Sequence, residues 1–365
     1  MRYKLQQPAA IAMWDFSWLE RRWPGGGYED WDRALDELQE RGYNAVRIDP
    51  YPHFIAFGTS DTVWQLPPVW PDLDWGSPAA LQLHDVQGNL IVFMEKCKAR
   101  GLQVGLSTWF REDARNVRMF IHSPQMLADI WKRTLELLGA NDLLDMVLYV
   151  DLTNEYPNWV PFITGDLNRV AGPAVEWMNE SLDALRRHYP EVPLCFSYSS
   201  EFDTLDRQDP SHMDLLEPHI WMVDFSDFYR RAGIGDDEDR ASTFKRLARS
   251  GAELYAADPA YWVRCLLSGI RLFSEYSVKV GKPLITTECW GVIFYKDWPT
   301  LRWDWVKALC EFGTIEASKT GRWAAIATSN FAGPQFRGMW DDIAWHRRLT
   351  DIIHRGALPD EARPS

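Results

Sequence analysis

A single α/β domain folded as a (β/α)8 barrel, a TIM barrel with an insertion after strand six, is the fold class this sequence predicts. Three observations predict it. A cadence of apolar strand, loop and amphipathic helix can be counted eight times along the 365 residues. The strands read as near-continuous apolar runs, as in Met146, Val147, Leu148, Val150 and Leu152, which is the pattern of strands buried on both faces of a parallel sheet. Parallel strands need crossovers, and a closed ring of eight uses every unit without leaving an edge. A doubly wound open sheet is the alternative, but no glycine-rich phosphate loop follows strand one.

Strand one covers 10–13 and runs into Trp14-Asp15-Phe16. Trp31, Ala34, Leu35 and Leu38 then recur at helical spacing over 31–41, with Gly42 as the cap. Strand two is 45–48, with Arg47 near its end and Pro50 stopping it. A long aromatic, proline-rich loop over 51–83 is expected to be functional and too irregular for a core element. A helix over 90–100, capped by Gly101, leads to strand three at 103–108 and then Trp109-Phe110-Arg111. Ser123 and Pro124 start the next helix, which runs to about residue 138. Strand four climbs to Asn154-Glu155 and is stopped by Pro157. A helix over 174–188, strand five at 193–198 and strand six at 213–222 follow, with His219 and Trp221 near the tip of the last. The cadence is broken by an insertion over about 224–255, opening on the acidic run GIGDDEDR. That run reads as a solvated face, since it lacks the alternating ligands of a calcium loop. A crossover helix over 260–279 precedes strand seven (283–291), which carries Glu288. A helix over 303–312, strand eight at 323–328 and a last helix over 341–354 complete the count, with Asn330 just past strand eight. The whole chain, 1–365, is therefore expected to be one domain with insertions at about 51–83 and 224–255.

Composition narrows the function. A hydrophobic content of 46% supports one large core, and a net charge of −13 argues against nucleic-acid or anionic-membrane partners, both of which need a basic face. The five cysteines are scattered, with no CxxC pair, so neither a disulfide framework nor a zinc site is expected. With no signal-peptide run at the N-terminus, a cytoplasmic protein is the expectation; a homo-oligomer is compatible with the sequence. The outlier is tryptophan, with 20 copies. Trp131 and Trp177 fit helix cores. Trp14, Trp64, Trp70, Trp75, Trp109, Trp159, Trp221 and Trp290 fall at strand ends or in loops, where an indole face suits a sugar ring.

In a barrel the residues just beyond each strand converge on one face. Arg47, Trp109, Asn154, Glu155, His219, Trp221, Glu288 and Asn330 are thereby expected around one pocket, with Trp290 beside Glu288. Two glutamates at opposed strand tips match the needs of glycoside hydrolysis, which takes one carboxyl to protonate the leaving oxygen and one carboxylate beneath the anomeric carbon. A single strand-end glutamate could equally cap a loop or pair with an arginine; two with polar or aromatic neighbours favour catalysis.

The motifs Asn154-Glu155, Thr287-Glu288-Cys289-Trp290-Gly291, Arg47 on strand two and His219-Ile220-Trp221 resemble those of clan A glycoside hydrolases, in particular cellulase-like members near family five. The resemblance implies Glu155 as general acid and base, Glu288 as nucleophile and retention of configuration. It also implies Asn154 at the sugar 2-hydroxyl, Arg47 steadying Glu288, and His219 on the sugar or the catalytic pair. The family's strand-three histidine has no counterpart, Trp109 and Arg111 standing there, and the strand-eight tryptophan platform is not evident. The expected function is an O-glycosyl hydrolase on small glycosides or oligosaccharides, exo-acting, with no cofactor and no metal. A divalent-metal sugar isomerase or epimerase using Glu155, His219 and Glu288, or a non-catalytic carbohydrate-binding barrel, are the alternatives.

Overall fold

The computed structural model describes residues 5–158, 160–163, 168–199, 201–235 and 239–363. Eight strands make the barrel: β1 (Ala9–Asp15), β2 (Ala45–Ile48), β3 (Gln103–Ser107), β4 (Val147–Asp151), β5 (Leu194–Cys195), β6 (Ile220–Trp221), β7 (Leu284–Thr286) and β8 (Trp323–Ala327). All residues of β1, β2, β4 and β8 are buried, which is why they read as apolar runs rather than alternating ones. Parallel ladders join β5, β4, β3, β2, β1, β8 and β7 in that order. The ring closes through the segment that ends in β6: Leu216 bridges Leu284, Tyr198 bridges Pro218, and Ile220–Trp221 pairs with Cys289–Trp290.

Among the described residues, seven longer α-helices cover the barrel: α1 (Trp31–Glu40), α2 (Val86–Ala99), α3 (Pro124–Ala140), α4 (Gly172–Arg186), α5 (Pro259–Val280), α6 (Trp303–Lys319) and α7 (Ile343–Arg355). Their starts follow from local chemistry. Asp30 accepts from the amides of Asp32 and Arg33, Ser123 from Met126, and Pro124 and Pro259 occupy the first turn. Among the described residues the β5-to-β6 crossover holds only a 3-10 turn, Phe202–Arg207, in place of a helix. Strands five and six are correspondingly much shorter than expected.

The 51–83 stretch differs more from expectation. It contains a helix, Pro52–Phe57, and a hairpin pairing Val63–Leu66 with Leu81–His84. Phe54 stacks on Trp64 with ring centroids 4.3 Å apart, and both are buried. Aromatic side chains give this segment a core of its own, so irregular sequence does not mean an unpacked loop. Over 224–255 the chain forms the helices Arg240–Arg246 and Ala252–Ala257 with a π-turn between them; residues 236–238 of the acidic run lie outside the described residues. Among the described residues no helix is long and apolar enough to cross a membrane.

One glycine matters for what lies under the site. Gly105 on β3 faces Tyr149 on β4, and a Cβ there would stand 2.5 Å from the Tyr149 ring. The absent side chain lets that ring cross the barrel interior, where its hydroxyl donates to Glu217 Oε1 at 2.9 Å.

Candidate active site

Strand tips deliver the charged groups. Past β4 the chain turns through Asn154 into Glu155, whose backbone is left-handed (φ 50°) and whose amide donates to Ser197 Oγ at 2.7 Å. Ser197 in turn donates to Asp151 Oδ2 at 2.8 Å, so the turn that aims Glu155 is tied back to its own strand. Glu288 follows β7 by two residues, and its carbonyl accepts from the amide of Ile220 at 3.1 Å. Both glutamates are buried at the barrel's carboxyl end, 9% and 8% exposed.

Arg47, wholly buried, is the hub between them. Its Nη2 donates to Glu288 Oε1 at 2.8 Å and Asn154 Oδ1 at 2.7 Å, its Nε and Nη2 clamp Asp15 at 2.9 and 2.8 Å, and its Nη1 donates to Thr287 Oγ1 at 2.6 Å and Glu217 Oε1 at 3.2 Å. A planar fork with five N–H donors suits this multiple clamp. Because Arg47 fixes the Asn154 oxygen, the amide nitrogen Nδ2 is turned elsewhere, buried and without a partner among the described residues. A buried donor in that state is costly unless a ligand uses it.

His219 joins the two carboxyls: its Nδ1 lies 2.8 Å from Glu155 Oε1 and 3.6 Å from Glu288 Oε2. Burial pulls its pKa down, but Glu288 and Glu155 outweigh burial and raise it to about 9, against the opposing charge of Arg47, whose Nη1 is 3.4 Å from Nε2. Burial raises the Glu288 carboxyl to about 7, with Glu155 and Asp15 pushing the same way and His219 and Arg47 pulling it down. The site therefore holds protons in the neutral range, where acid-base chemistry needs them. One donor atom from each of Glu155, His219 and Glu288 falls within 4.8 Å of the others, a grouping that could also receive a divalent ion.

Above this cluster is a cavity of about 440 Å³, lined by Asp15, Trp70, Trp75, Trp109, Trp221, Asn330 and both glutamates, among others. A sugar-binding cellulase-like family model matches residues 11–354. The chain belongs to that family. A candidate glycoside hydrolase from Parabacteroides distasonis is 46% identical over 97% of this chain and 96% of its own, with a TM-score of 0.93. More distant structures share the fold. An endo-β-1,4-mannanase from Thermotoga petrophila is 11% identical, with a TM-score of 0.57 over 96% of this chain and 78% of its own. A family 5 mannosidase from Rhizomucor miehei is 8% identical, with a TM-score of 0.54 over 97% and 94%. No curated protein matches. As a member of the cellulase-like family the chain is an O-glycosyl hydrolase.

Within this cellulase-like barrel the expected site residues divide into two layers. Glu155, Glu288, Trp109, Trp221 and Asn330 line the cavity, and Arg47, Asn154 and His219 form the buried layer beneath it. Asn330 is 1% exposed and its Oδ1 has no partner among the described residues. Trp290 is different: it is fully buried behind the strand, its indole donates to the Ala327 carbonyl at 3.0 Å, and it packs on Gly313 of α6. The ring points into the layer between barrel and helix, so it does not line the cavity. Trp64 belongs to the hairpin core and Trp14 is buried with its indole on the Ala332 carbonyl. Trp159 lies outside the described residues.

Charged residues not anticipated in the sequence also enter the site, Asp72 on the cavity wall among them. Asp15 ends β1, accepts from Trp109 Nε1 at 2.8 Å and lines the cavity; the strand-tip rule that points to Glu155 applies to it equally. Glu217, a carboxyl inside the otherwise apolar LLEPHIW, is wholly buried and receives Arg47, Tyr149 and Thr287. Asp224 and Arg240 also line the cavity, and no sequence periodicity singles them out.

Proposed function

We propose that this hydrolase is retaining and exo-acting on small glycosides or oligosaccharides, by a two-glutamate double displacement within one catalytic barrel domain. The observation that carries the reading is the approach of one Glu155 oxygen to one Glu288 oxygen within 4.8 Å. Retaining enzymes place their carboxyl groups roughly 5 to 5.5 Å apart, whereas inverting ones need roughly 6.5 to 9.5 Å to admit a water. In this mechanism Glu155 gives its proton to the leaving oxygen while Glu288 attacks the anomeric carbon, so the glycosidic bond breaks and a glycosyl ester forms. Glu155 then takes a proton from the water that displaces Glu288. Arg47 holds Glu288 as the anion, and Asn154 Nδ2 supplies a donor for a sugar hydroxyl beside the reacting carbon. The walled cavity supports action at a chain end, since it has the size of a small-ligand pocket. Five free cysteines support a cytoplasmic setting.

Azide rescue tests the assignment of roles. Glu288→Ala should lose at least about a thousandfold in kcat and, with azide, regain turnover to give the glycosyl azide of inverted configuration. Glu155→Ala should keep activity on aryl glycosides with good leaving groups and give the retained azide. Exchange of the two outcomes would reverse the roles.

The grouping of Glu155, His219 and Glu288 favours one second reading, a metal-dependent isomerase. Against it, the Arg47 guanidinium already sits 2.8 Å from Glu288 and 3.4 Å from His219, where a dication would meet a like charge. Activity lost to a chelator and restored by manganese would support that reading; chelator-insensitive hydrolysis would exclude it.

A further inference from the structure

Glu217 is a carboxyl where a barrel normally packs branched apolar side chains. It sits between Leu216 and Pro218, is wholly buried, and lies two residues before His219. The period-two alternation of extended chain turns both side chains inward, and both reach Arg47 Nη1, at 3.2 Å from Glu217 Oε1 and 3.4 Å from His219 Nε2. A carboxylate in that place is costly to desolvate, and stability alone would be served as well by apolar side chains of similar volume. Neutralising Arg47 does not require it either, because Asp15 and Glu288 each already lie 2.8 Å from Nη2.

What Glu217 supplies is an acceptor. Three donors converge on its Oε1: the Thr287 hydroxyl at 2.6 Å, the Tyr149 hydroxyl at 2.9 Å and Arg47 Nη1 at 3.2 Å. Thr287 Oγ1 itself accepts from Arg47 Nη1 at 2.6 Å, which directs its one O–H to Glu217. Thr287 precedes Glu288 in the chain, and Arg47 Nη2 donates to Glu288 Oε1 at 2.8 Å. Glu217 is therefore bonded both to the sequence neighbour of the proposed nucleophile and to the cation on its carboxylate. Without it the Thr287 hydroxyl loses its acceptor and Arg47 Nη1 loses one of its own. Resting on the two-glutamate reading above, we propose that Glu217 is a positioning residue, which from inside the barrel fixes Thr287 and Arg47 and through them aims the Glu288 carboxylate at the anomeric carbon.

The test uses two variants of the full chain. Glu217→Gln keeps the volume and removes the charge, and Thr287→Val keeps the branch and removes the hydroxyl; if the first fails to fold, the second carries the test. On an aryl glycoside each should lower kcat about tenfold or more while KM stays within about threefold, because substrate binding is not what Glu217 serves. The effect should disappear where Glu288 is absent: in Glu288→Ala rescued by azide, adding Glu217→Gln should change turnover less than about twofold. A raised KM with kcat unchanged, or the same loss in the azide-rescued protein, would overturn the proposal. Crystal structures of wild type and variant read the positioning without turnover. In the variant the Glu288 carboxylate should leave hydrogen-bond distance of Arg47 Nη2 or divide between conformers, and an unmoved Glu288 would overturn the proposal. If wild type hydrolyses no glycoside, the two-glutamate reading fails, and these structures still decide whether Glu217 holds Glu288.

Discussion

Arg47 is the residue on which the proposed chemistry turns, because one guanidinium holds Glu288, the proposed nucleophile, together with the amide of Asn154 and the carboxylate of Asp15. Lysine keeps the charge but not the fork. Arg47→Lys should therefore lower kcat/KM by about a hundredfold, the usual cost of misplacing a reacting group by about an ångström. Steady-state kinetics on an aryl glycoside check this, and a loss below threefold would remove Arg47 from its role. The protonation states carry a second expectation. With Glu288 raised to about 7, its anion is depleted as pH falls, so kcat/KM should decline below about pH 7; Arg47→Met, which removes a group that lowers this pKa, should move the decline upward. A pH–rate profile with no break between pH 5 and 8 would contradict it. At this scale strand tips were informative for Glu155, Glu288, Arg47, Asn154 and His219, which share one cluster, while Asp15 at the tip of β1 was passed over. Strand-tip logic places a residue but does not tell which way its ring points, and Trp290 turns away from the cavity.

At the scale of elements, close approaches explain why particular strands and helices sit where they do. Gly313 on α6 meets Trp290 so closely that a Cβ would lie 2.5 Å from the indole, and Gly105 on β3 meets Tyr149 at the same distance. Both alanine variants should be destabilised by about 1–3 kcal/mol, the common cost of overpacking, measured by urea denaturation. Gly105→Ala should also lower activity, since Tyr149 reaches Glu217 and Glu217 holds Arg47; Gly313→Ala, behind the strand, should change activity less. Equal activity losses would break this distinction. Strands one to four, seven and eight and seven helices were visible in the sequence because their periods are clean. Strands five, six and seven were overextended, since their apolar runs are buried while only short parts of them hold regular ladders. The 51–83 stretch hid a helix and hairpin because its prolines and aromatics obscure any period, although its side chains pack well.

For the whole molecule, stability depends on pH through the proton held at His219. Its folded pKa of about 9 lies above the ordinary 6.5, so the stability it contributes is complete below about pH 6.5 and is lost as pH rises through 9. The difference in melting temperature between wild type and His219→Asn should shrink across that window; a constant difference would show that His219 is not charged in the fold. Glu288, raised from 4.5 to about 7, has the same sign, its contribution fading as pH climbs through 7. A barrel whose ring is closed by short bridges at β5 to β7 thus gathers its acids at one mouth, where Arg47 and His219 partly balance them. The measurement that tests the two-glutamate account most directly is proton NMR of an aryl glycoside during its first turnovers. The sugar released first should have the anomeric configuration of the substrate, because two displacements at Glu288 restore it; first appearance of the opposite anomer would contradict the account.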